Sequence, residues 1–194
     1  MKSKSVNELI LKIDELFQIH LSQRGILQYV SDKHVGQNQI SWGSKVTSSW
    51  FDITFKFQNT ISETTRSELN RISEYMNQNF IVRLHALLEY EGIKDTKSKI
   101  DIEISGHEIL QILHELRKEF AHKTGKFNPE NKDSVRLRHR LFKTFDINSE
   151  ESLPDQFPLD KNRVIKPIVD GIKLYINGYW EKYRFSRADR RVAI

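Results

Sequence analysis

The feature that most constrains this chain is a recurring three-to-four-residue spacing of apolar side chains, which is the period of an α-helix. It is clearest in the stretch Glu108–Gly125, where one stripe contains Ile109, Ile112, Leu113, Leu116 and Phe120. Gly125 supplies a residue that readily takes the left-handed conformation common after helix ends. The stretch therefore predicts one amphipathic helix with a defined end.

The same spacing recurs along most of the chain. It predicts further helices over residues 6–23, 62–90, 131–145 and 161–183. Ser5 and Ser62 suit the starts of the first two as capping residues, and Gly92 suits the end of the second. We therefore predict an all-α fold, a bundle of four to six helices.

The stretch 39–57 is the exception, because its pattern fits two structures. Phe51, Ile53, Phe55 and Phe57 alternate with polar residues as in a half-buried strand, for which 39–42 is the obvious partner. The spacing of Trp50, Ile53 and Phe57 also fits a helix. We favour the helix, and a short extended segment or hairpin near 39–57 is the alternative.

Chain length bounds the domain organisation. The 194 residues are enough for one continuous core and few for two. We predict a single domain over 1–194, in which 1–60 is an N-terminal helix with an irregular extension and 61–184 is the bundle. Residues 185–194 form a basic tail.

Composition narrows the classes of function. The net charge of +5 favours acidic partners, of which nucleic acid is the commonest. The chain has no cysteine, which excludes disulfides and thiol nucleophiles. No apolar run approaches the roughly 20 residues of a membrane span, and no signal peptide is visible. We therefore predict a cytoplasmic protein without a membrane partner.

Several catalytic signatures are missing from the sequence. There is no glycine-rich phosphate loop, and His107 and His114 lie two helical turns apart, too far for one metal ion. We predict neither a metal nor a cofactor. His85 and Glu89 lie one turn apart and predict a hydrogen bond at the surface or at the boundary of the core.

Arg117 and His122 form the pair that suggests chemistry. Histidine can transfer a proton near neutral pH, and arginine is a fixed cation for a phosphate or its transition state. Such a pair can cleave RNA without a metal, since the 2′-hydroxyl is the nucleophile. Two purely structural interpretations stay open. Arg117 flanks the core beside His114, or His122 interacts with the helix dipole.

The sequence around this pair resembles the HEPN superfamily. The resemblance rests on Arg117 and His122, which fit that family's Arg-x(4 to 6)-His motif near a helix end, on the Phe-Ala-His that ends at His122, and on a preceding long helix. It covers mainly residues 62–128. The resemblance implies an all-helical bundle, a homodimer whose two motifs meet at the interface and, in active members, a metal-independent endoribonuclease.

The resemblance also implies a toxin or an antiviral defence effector, with an antitoxin or a neighbouring defence protein as a further partner. It assigns Arg117 to the transition-state charge and His122 to proton transfer. Lys118 departs from the family pattern, in which a compact polar residue follows the arginine. This departure favours the alternative, a non-catalytic HEPN-like or other helical module that binds nucleic acid or a partner protein.

Helix geometry adds a constraint on the site. Five positions on a regular helix turn by about 500°, so Arg117 and His122 point about 140° apart. A site shared between two chains explains this spacing better than a site on one chain. We predict RNA contacts from Lys118, Lys123 and His114, and the arginines of 131–145 either extend that path or form a solvated face.

Overall fold

The computed structural model describes residues 3–46, 49–93, 100–122, 125–148 and 156–185. These residues form the helices α1 Val6–Ile26, α2 Glu63–Glu91, α3 His107–His122, α4 Lys132–Phe145 and α5 Lys166–Trp180. They also form the strands β1 Gln39–Val46 and β2 Ser49–Lys56. The predicted mostly helical fold is confirmed, whereas the specific likeness to HEPN domains stays a prediction.

Contacts between the residues separate the chain into two compact units. The helical unit comprises Met1–Asp14 and Ile81–Ile194, and the hairpin unit comprises Glu15–Phe80. Each unit is described by itself below. The single domain that we predicted from the chain length remains a prediction.

The hairpin unit contains its own apolar cluster. Val30, Ile40 and Ile61 are buried together, and three partly buried side chains pack against them: Trp42, Phe57 and Leu69. The amide of Asn70 pairs with the backbone of Val30, accepting from its N–H at 2.7 Å and donating to its carbonyl at 2.9 Å. This pairing satisfies the backbone of a residue outside any helix or strand, which an apolar cluster requires.

The prediction of a helix over residues 50–57 is wrong, and the alternative hairpin is confirmed. β1 and β2 pair antiparallel, with Ile40 opposite Phe55 and Trp42 opposite Ile53. The rings of Trp42 and Phe55 lie 5.3 Å apart, and the Trp42 indole N–H donates to the carbonyl of Gly25 at 3.0 Å. These contacts need residues distant in sequence, so the helical spacing of Trp50, Ile53 and Phe57 alone could not reveal them.

Helix α5 packs against α3 in the helical unit. Its buried side chains lie at helical spacing and include Ile168, Ile172, Tyr175, Ile176 and Trp180. Gly171 faces α3 so closely that a Cβ atom there would lie 2.6 Å from Cγ1 of Ile109. Because any larger residue would force the helices apart, Gly171 fixes how closely α3 approaches α5.

The inward face of α2 does not follow from apolar residues alone. Ile72 is apolar and yet 48% exposed. Six polar residues of α2 are buried, among them Ser73, Asn77 and His85. An apolar pattern cannot report a buried face that is partly polar, because it treats such positions as solvated.

Helix starts and ends agree with the predicted signals. Ser5 Oγ accepts from the N–H of Glu8 at 3.2 Å, and Ser62 Oγ accepts from the N–H of Thr65 at 3.1 Å. Gly92 and Gly125 have φ angles of 76° and 72°, the left-handed conformation expected after a helix. Local sequence therefore sets these boundaries.

Candidate active site

Helix α3 contains both residues predicted to be catalytic. Its fully buried side chains are Leu110, Ile112, Leu113 and Leu116. Arg117 follows this stripe and is partly exposed, and Lys118 is exposed. The arginine is thus anchored by a buried turn of helix and still reaches solvent, which an arginine that binds a phosphate requires.

The predicted stripe of α3 was right at three positions and needs correction at its ends. Ile112, Leu113 and Leu116 are buried as predicted, whereas Ile109 and Phe120 are partly exposed. The Phe120 ring contacts the edge of Phe157, with centroids 5.9 Å apart. The added member is Leu110, which lies three residues before Leu113 and was left out of the predicted stripe.

Gly125 has the left-handed conformation that the sequence predicted after α3. The described part of the helix ends at His122, and Gly125 has its positive φ three residues later. The structure describes the backbone of His122 and not its side chain, and Lys123 lies outside the described residues. The roles predicted for His122 and Lys123 therefore stay predictions.

The regularity of α3 bears on how the pair can work. α3 is α-helical from His107 to His122, so the turn between Arg117 and His122 is that of an ordinary helix. Their Cα–Cβ directions then differ by about 140°. One helix alone does not aim both side chains at a single phosphate, which favours a second contributor to the site.

A histidine pair joins α3 to α2 one turn before Arg117. Nε2 of His85 lies 3.2 Å from Nδ1 of His114, and the two rings are 5.4 Å apart and inclined by 28°. His85 is fully buried, and His114 is partly exposed. Hydrogen bonding between two imidazoles requires one ring to donate and the other to accept.

Glu89 suggests which ring donates. Its carboxylate Oε2 lies 3.4 Å from Nδ1 of His85, an ion-pair distance rather than an aligned hydrogen bond. A proton on Nδ1 would face this carboxylate, so Nε2 of a neutral His85 would accept from Nδ1 of His114. His114 would then present its Nε2 as a lone pair, in the tautomer that can accept a proton.

These contacts bear on two predictions. We predicted that His85 and Glu89 form a hydrogen bond at the surface or at the core boundary, and the structure places the pair at the core boundary, with His85 buried, Glu89 partly exposed and their atoms at an ion-pair distance. We predicted that His114 contacts RNA, and its ring is bonded to His85 on one side. The RNA contact of His114 stays a prediction for its other ring edge, as does that of Lys118.

Two polar contacts between α3 and α4 fix the position of the candidate site. The Arg140 guanidinium donates to Gln111 Oε1 at 2.7 Å and to Glu115 Oε1 at 3.3 Å. The hydroxyl of Ser134 donates to the buried Glu119 carboxylate at 3.1 Å. Arg140 therefore joins the two helices, and its place on an RNA path stays a prediction.

A charged cluster precedes α3. Hydrogen bonds from Lys182, at 2.7 Å, and from Tyr183, at 2.5 Å, lower the pKa of Asp101 to about 2. The same carboxylate, together with Glu103, raises the pKa of Lys182. Because α3 begins six residues after Asp101, this cluster fixes the chain as it enters the helix.

Sequence reasoning missed the histidine pair as a unit. Each histidine occupies an inward position of its helix: His85 follows the buried Leu84, and His114 follows the buried Leu113. A histidine inside an apolar stripe on each of two helices was the signal that could have found the contact. The sequence does not show which two helices are neighbours, so the pairing itself needed the structure.

Comparison with known proteins identifies no relative. No protein-family model matches the chain, and neither the curated proteins nor the solved structures give a significant match. In the described part of the chain, no helix combines the length and the apolar character needed to cross a membrane.

Proposed function

We propose that this chain is a metal-independent endoribonuclease of the HEPN type that acts on RNA as a homodimer. The observation that carries the proposal is the placement of Arg117. Its helical turn is anchored by the buried Leu113 and Leu116, its side chain reaches solvent, and the bonded His85–His114 pair lies one turn away. A partly exposed cation on a rigid helix suits the binding of a phosphate.

The proposed reaction is an internal transesterification of RNA. The 2′-oxygen attacks the adjacent phosphorus while the bond from phosphorus to the 5′-oxygen breaks, which gives a 2′,3′-cyclic phosphate and a 5′-hydroxyl. The proton leaves the 2′-hydroxyl for the His122 imidazole, and the departing 5′-oxygen takes up a proton. Arg117 balances the negative charge that gathers on the phosphate oxygens in the transition state.

A homodimer follows from helix geometry within this proposal. About 140° separates the directions of Arg117 and His122 on α3, so the two side chains converge on one phosphate only with help from a second chain. A two-fold axis beside α3 would bring the arginine of one protomer to the histidine of the other. The net charge of +5 favours an RNA substrate.

The proposal extends to a cytoplasmic toxin or defence effector, with an antitoxin or a neighbouring defence protein as partner. This part rests on the resemblance of the residues around Arg117 and His122. Its test is induced expression in a bacterial host. Growth should stop with the wild-type chain and continue with His122→Ala at equal protein level, and growth arrest by both chains would contradict a role of cleavage.

The direct test is RNA cleavage by the purified protein in a metal chelator. Wild-type protein should cut single-stranded RNA and leave cyclic phosphate ends, while Arg117→Ala and His122→Ala should each lose at least about 10²-fold in rate. Lys132→Ala, an exposed substitution at the start of α4, is the control and should cut like wild type. Equal cleavage by all four proteins would refute the assignment.

A second candidate function is a non-catalytic module that binds nucleic acid or a partner protein. The exposed Lys118 favours it, because this long cation occupies the place where the active members of the resembled family carry a compact polar residue. Under this alternative RNA binds with a strong salt dependence and is not cut. Cleavage that is lost in His122→Ala would exclude it.

A further inference from the structure

A groove of about 700 Å³ lies along α4 and has two kinds of lining. The apolar lining residues are Phe127, Val135, Phe142 and Ile147. The polar ones are Arg138, His139, Lys143 and Asn148. Val135 and Phe142 are apolar residues of the kind expected in a core, and both are partly exposed in this groove.

The charge of the groove selects an anionic occupant. None of the eight described residues that line it is acidic, whereas Arg138 and Lys143 are cations and His139 is an imidazole. Lys143 and His139 are exposed at the rim, where a phosphate would keep part of its hydration. Cations around an apolar floor are complementary to a ligand that has both an anionic and a flat apolar part.

The aromatic floor is held in place by Arg138. Its guanidinium carbon lies 4.4 Å from the centroid of the Phe127 ring and 5.3 Å from that of Phe142. The edge of Phe127 also meets Phe157, which is buried, with centroids 6.0 Å apart. A fixed array of rings and a planar guanidinium is the kind of surface on which nucleobases stack.

Chain connectivity places the groove near the end of α3. Phe127 follows His122 by five residues, and five residues span at most about 18 Å. Ser134 and Arg140 of α4 also bond to Glu119 and Glu115 of α3. A strand of nucleic acid in the groove therefore lies within a few nucleotides of His122.

We propose that this groove binds a nucleotide of single-stranded RNA, with the base against Phe142 and the backbone phosphate at Lys143. This rests on the proposed function, since it gives the ribonuclease a substrate-binding groove outside the Arg117–His122 pair. The exposed rim at His139, Lys143 and Asn148 leaves room for the strand to enter and continue. Asn148 can donate to or accept from the edge of the base.

The test is binding of a short fluorescent single-stranded RNA to the full chain carrying His122→Ala, which prevents cleavage. In this background Lys143→Gln should weaken binding about threefold to tenfold and lower the slope of log affinity against log salt by about 0.7. Phe142→Leu, which keeps an apolar side chain, should weaken binding about tenfold and leave that slope unchanged.

Arg136→Gln is the matched control for Lys143→Gln. Arg136 is also an exposed cation of α4, lies 3.4 Å from Asp133 and does not line the groove. Its substitution should change affinity less than about twofold. Equal losses of RNA affinity in Lys143→Gln and Arg136→Gln would show that RNA binds by general electrostatic attraction and not in the groove. This result would overturn the proposal. Binding of an acidic peptide but no RNA would also overturn it.

The outcome can be separated from that of the proposed ribonuclease. If the groove variants weaken RNA binding and neither the wild-type chain nor any variant cleaves RNA, the groove binds RNA and the ribonuclease assignment is wrong. If cleavage depends on His122 and the groove variants bind like wild type, the assignment stands and the groove fails. Thermal melting of Phe142→Leu shows whether its loss of binding arises from unfolding, and the exposed Lys143 gives a variant that keeps the fold.

Discussion

The polar residues of α3 fall into two groups. His114, Glu115 and Glu119 bond to residues of α2 and α4. Arg117, which is partly exposed, and Lys118, which is exposed, form the solvent-facing group. The first group sets the position of the helix, and the second is placed by it. Residue type alone does not separate these roles, because each group contains residues that could take part in catalysis.

The largest effect should come from mixing two inactive proteins, which tests whether the solvent-facing group works across two chains. Arg117→Ala and His122→Ala should each lose at least about 10²-fold in cleavage rate. After mixing and subunit exchange, half of the dimers contain one Arg117→Ala chain and one His122→Ala chain. One of their two shared sites is intact, so about a quarter of the wild-type activity should return.

The measurement is the initial rate of RNA cleavage before and after exchange. Each variant mixed with itself is the control and should stay inactive. If the mixture is no more active than its components, both residues of a site belong to one chain. In that case Arg117 and His122 do not meet across an interface, and the argument from helix geometry is wrong.

A smaller effect is expected from the buried group. Ser134→Ala removes the hydroxyl that donates to the Glu119 carboxylate, and both side chains are buried. The free energy of unfolding should fall by about 1 to 3 kcal/mol, because the carboxylate loses a hydrogen bond in a site with little solvent. Urea titration followed by circular dichroism measures this change.

Ser67→Ala is the matched control for that substitution. Ser67 is an exposed serine inside α2, so its replacement should change the free energy of unfolding by less than about 0.5 kcal/mol. Losses of equal size in the two variants would mean that the buried contact contributes nothing beyond helix propensity. The contrast between the buried and solvent-facing groups would then lose its energetic basis.

The smallest effect should come from Asp101, whose partner Lys182 is exposed. The folded pKa of Asp101 is about 2, below its ordinary 3.8, so its contribution to stability is present above pH 3.8. That contribution is lost as the pH falls from 3.8 through about 2, when the carboxylate takes up a proton in the folded chain. Asp101→Asn should therefore show a shallower loss of stability across this window than wild type.

Thermal melts of both proteins at several pH values measure this difference. Near neutral pH the variant should melt somewhat below wild type, and the two melting temperatures should converge towards pH 2. Parallel curves would show that the contact with Lys182 does not stabilise the charged carboxylate. The ion pair at the start of α3 would then be a surface contact without energetic consequence.

Local signals in the sequence predicted much of the fold. Apolar spacing located the helices, and Ser62, Gly92 and Gly125 marked boundaries that the structure confirms. The pattern gave the wrong structure at 50–57, because a hairpin is stabilised by contacts such as Trp42 with Phe55. Contacts between residues distant in sequence do not produce a periodic pattern of apolar residues.

The candidate site was predictable only in part. The position of Arg117 beside a buried stripe followed from the helical period, and Gly125 marked the region in which α3 ends. The bond from His85 to His114 did not follow from the helical period, because the sequence does not tell which helices are neighbours. The groove could not be predicted for a related reason. Phe142 is an apolar residue that the sequence alone would place in a core, and only the packing of the structure shows that it is partly exposed.

Gly171 makes the location of the candidate site adjustable from a distance. Gly171 lies on α5 against α3, and a single methyl group there would meet Ile109. The helix that carries Arg117 can therefore be displaced by fractions of an ångström without altering any charged or titratable group. For protein engineering, a substitution at Gly171 would therefore shift the position of Arg117 and leave its charge and hydrogen-bonding groups unchanged.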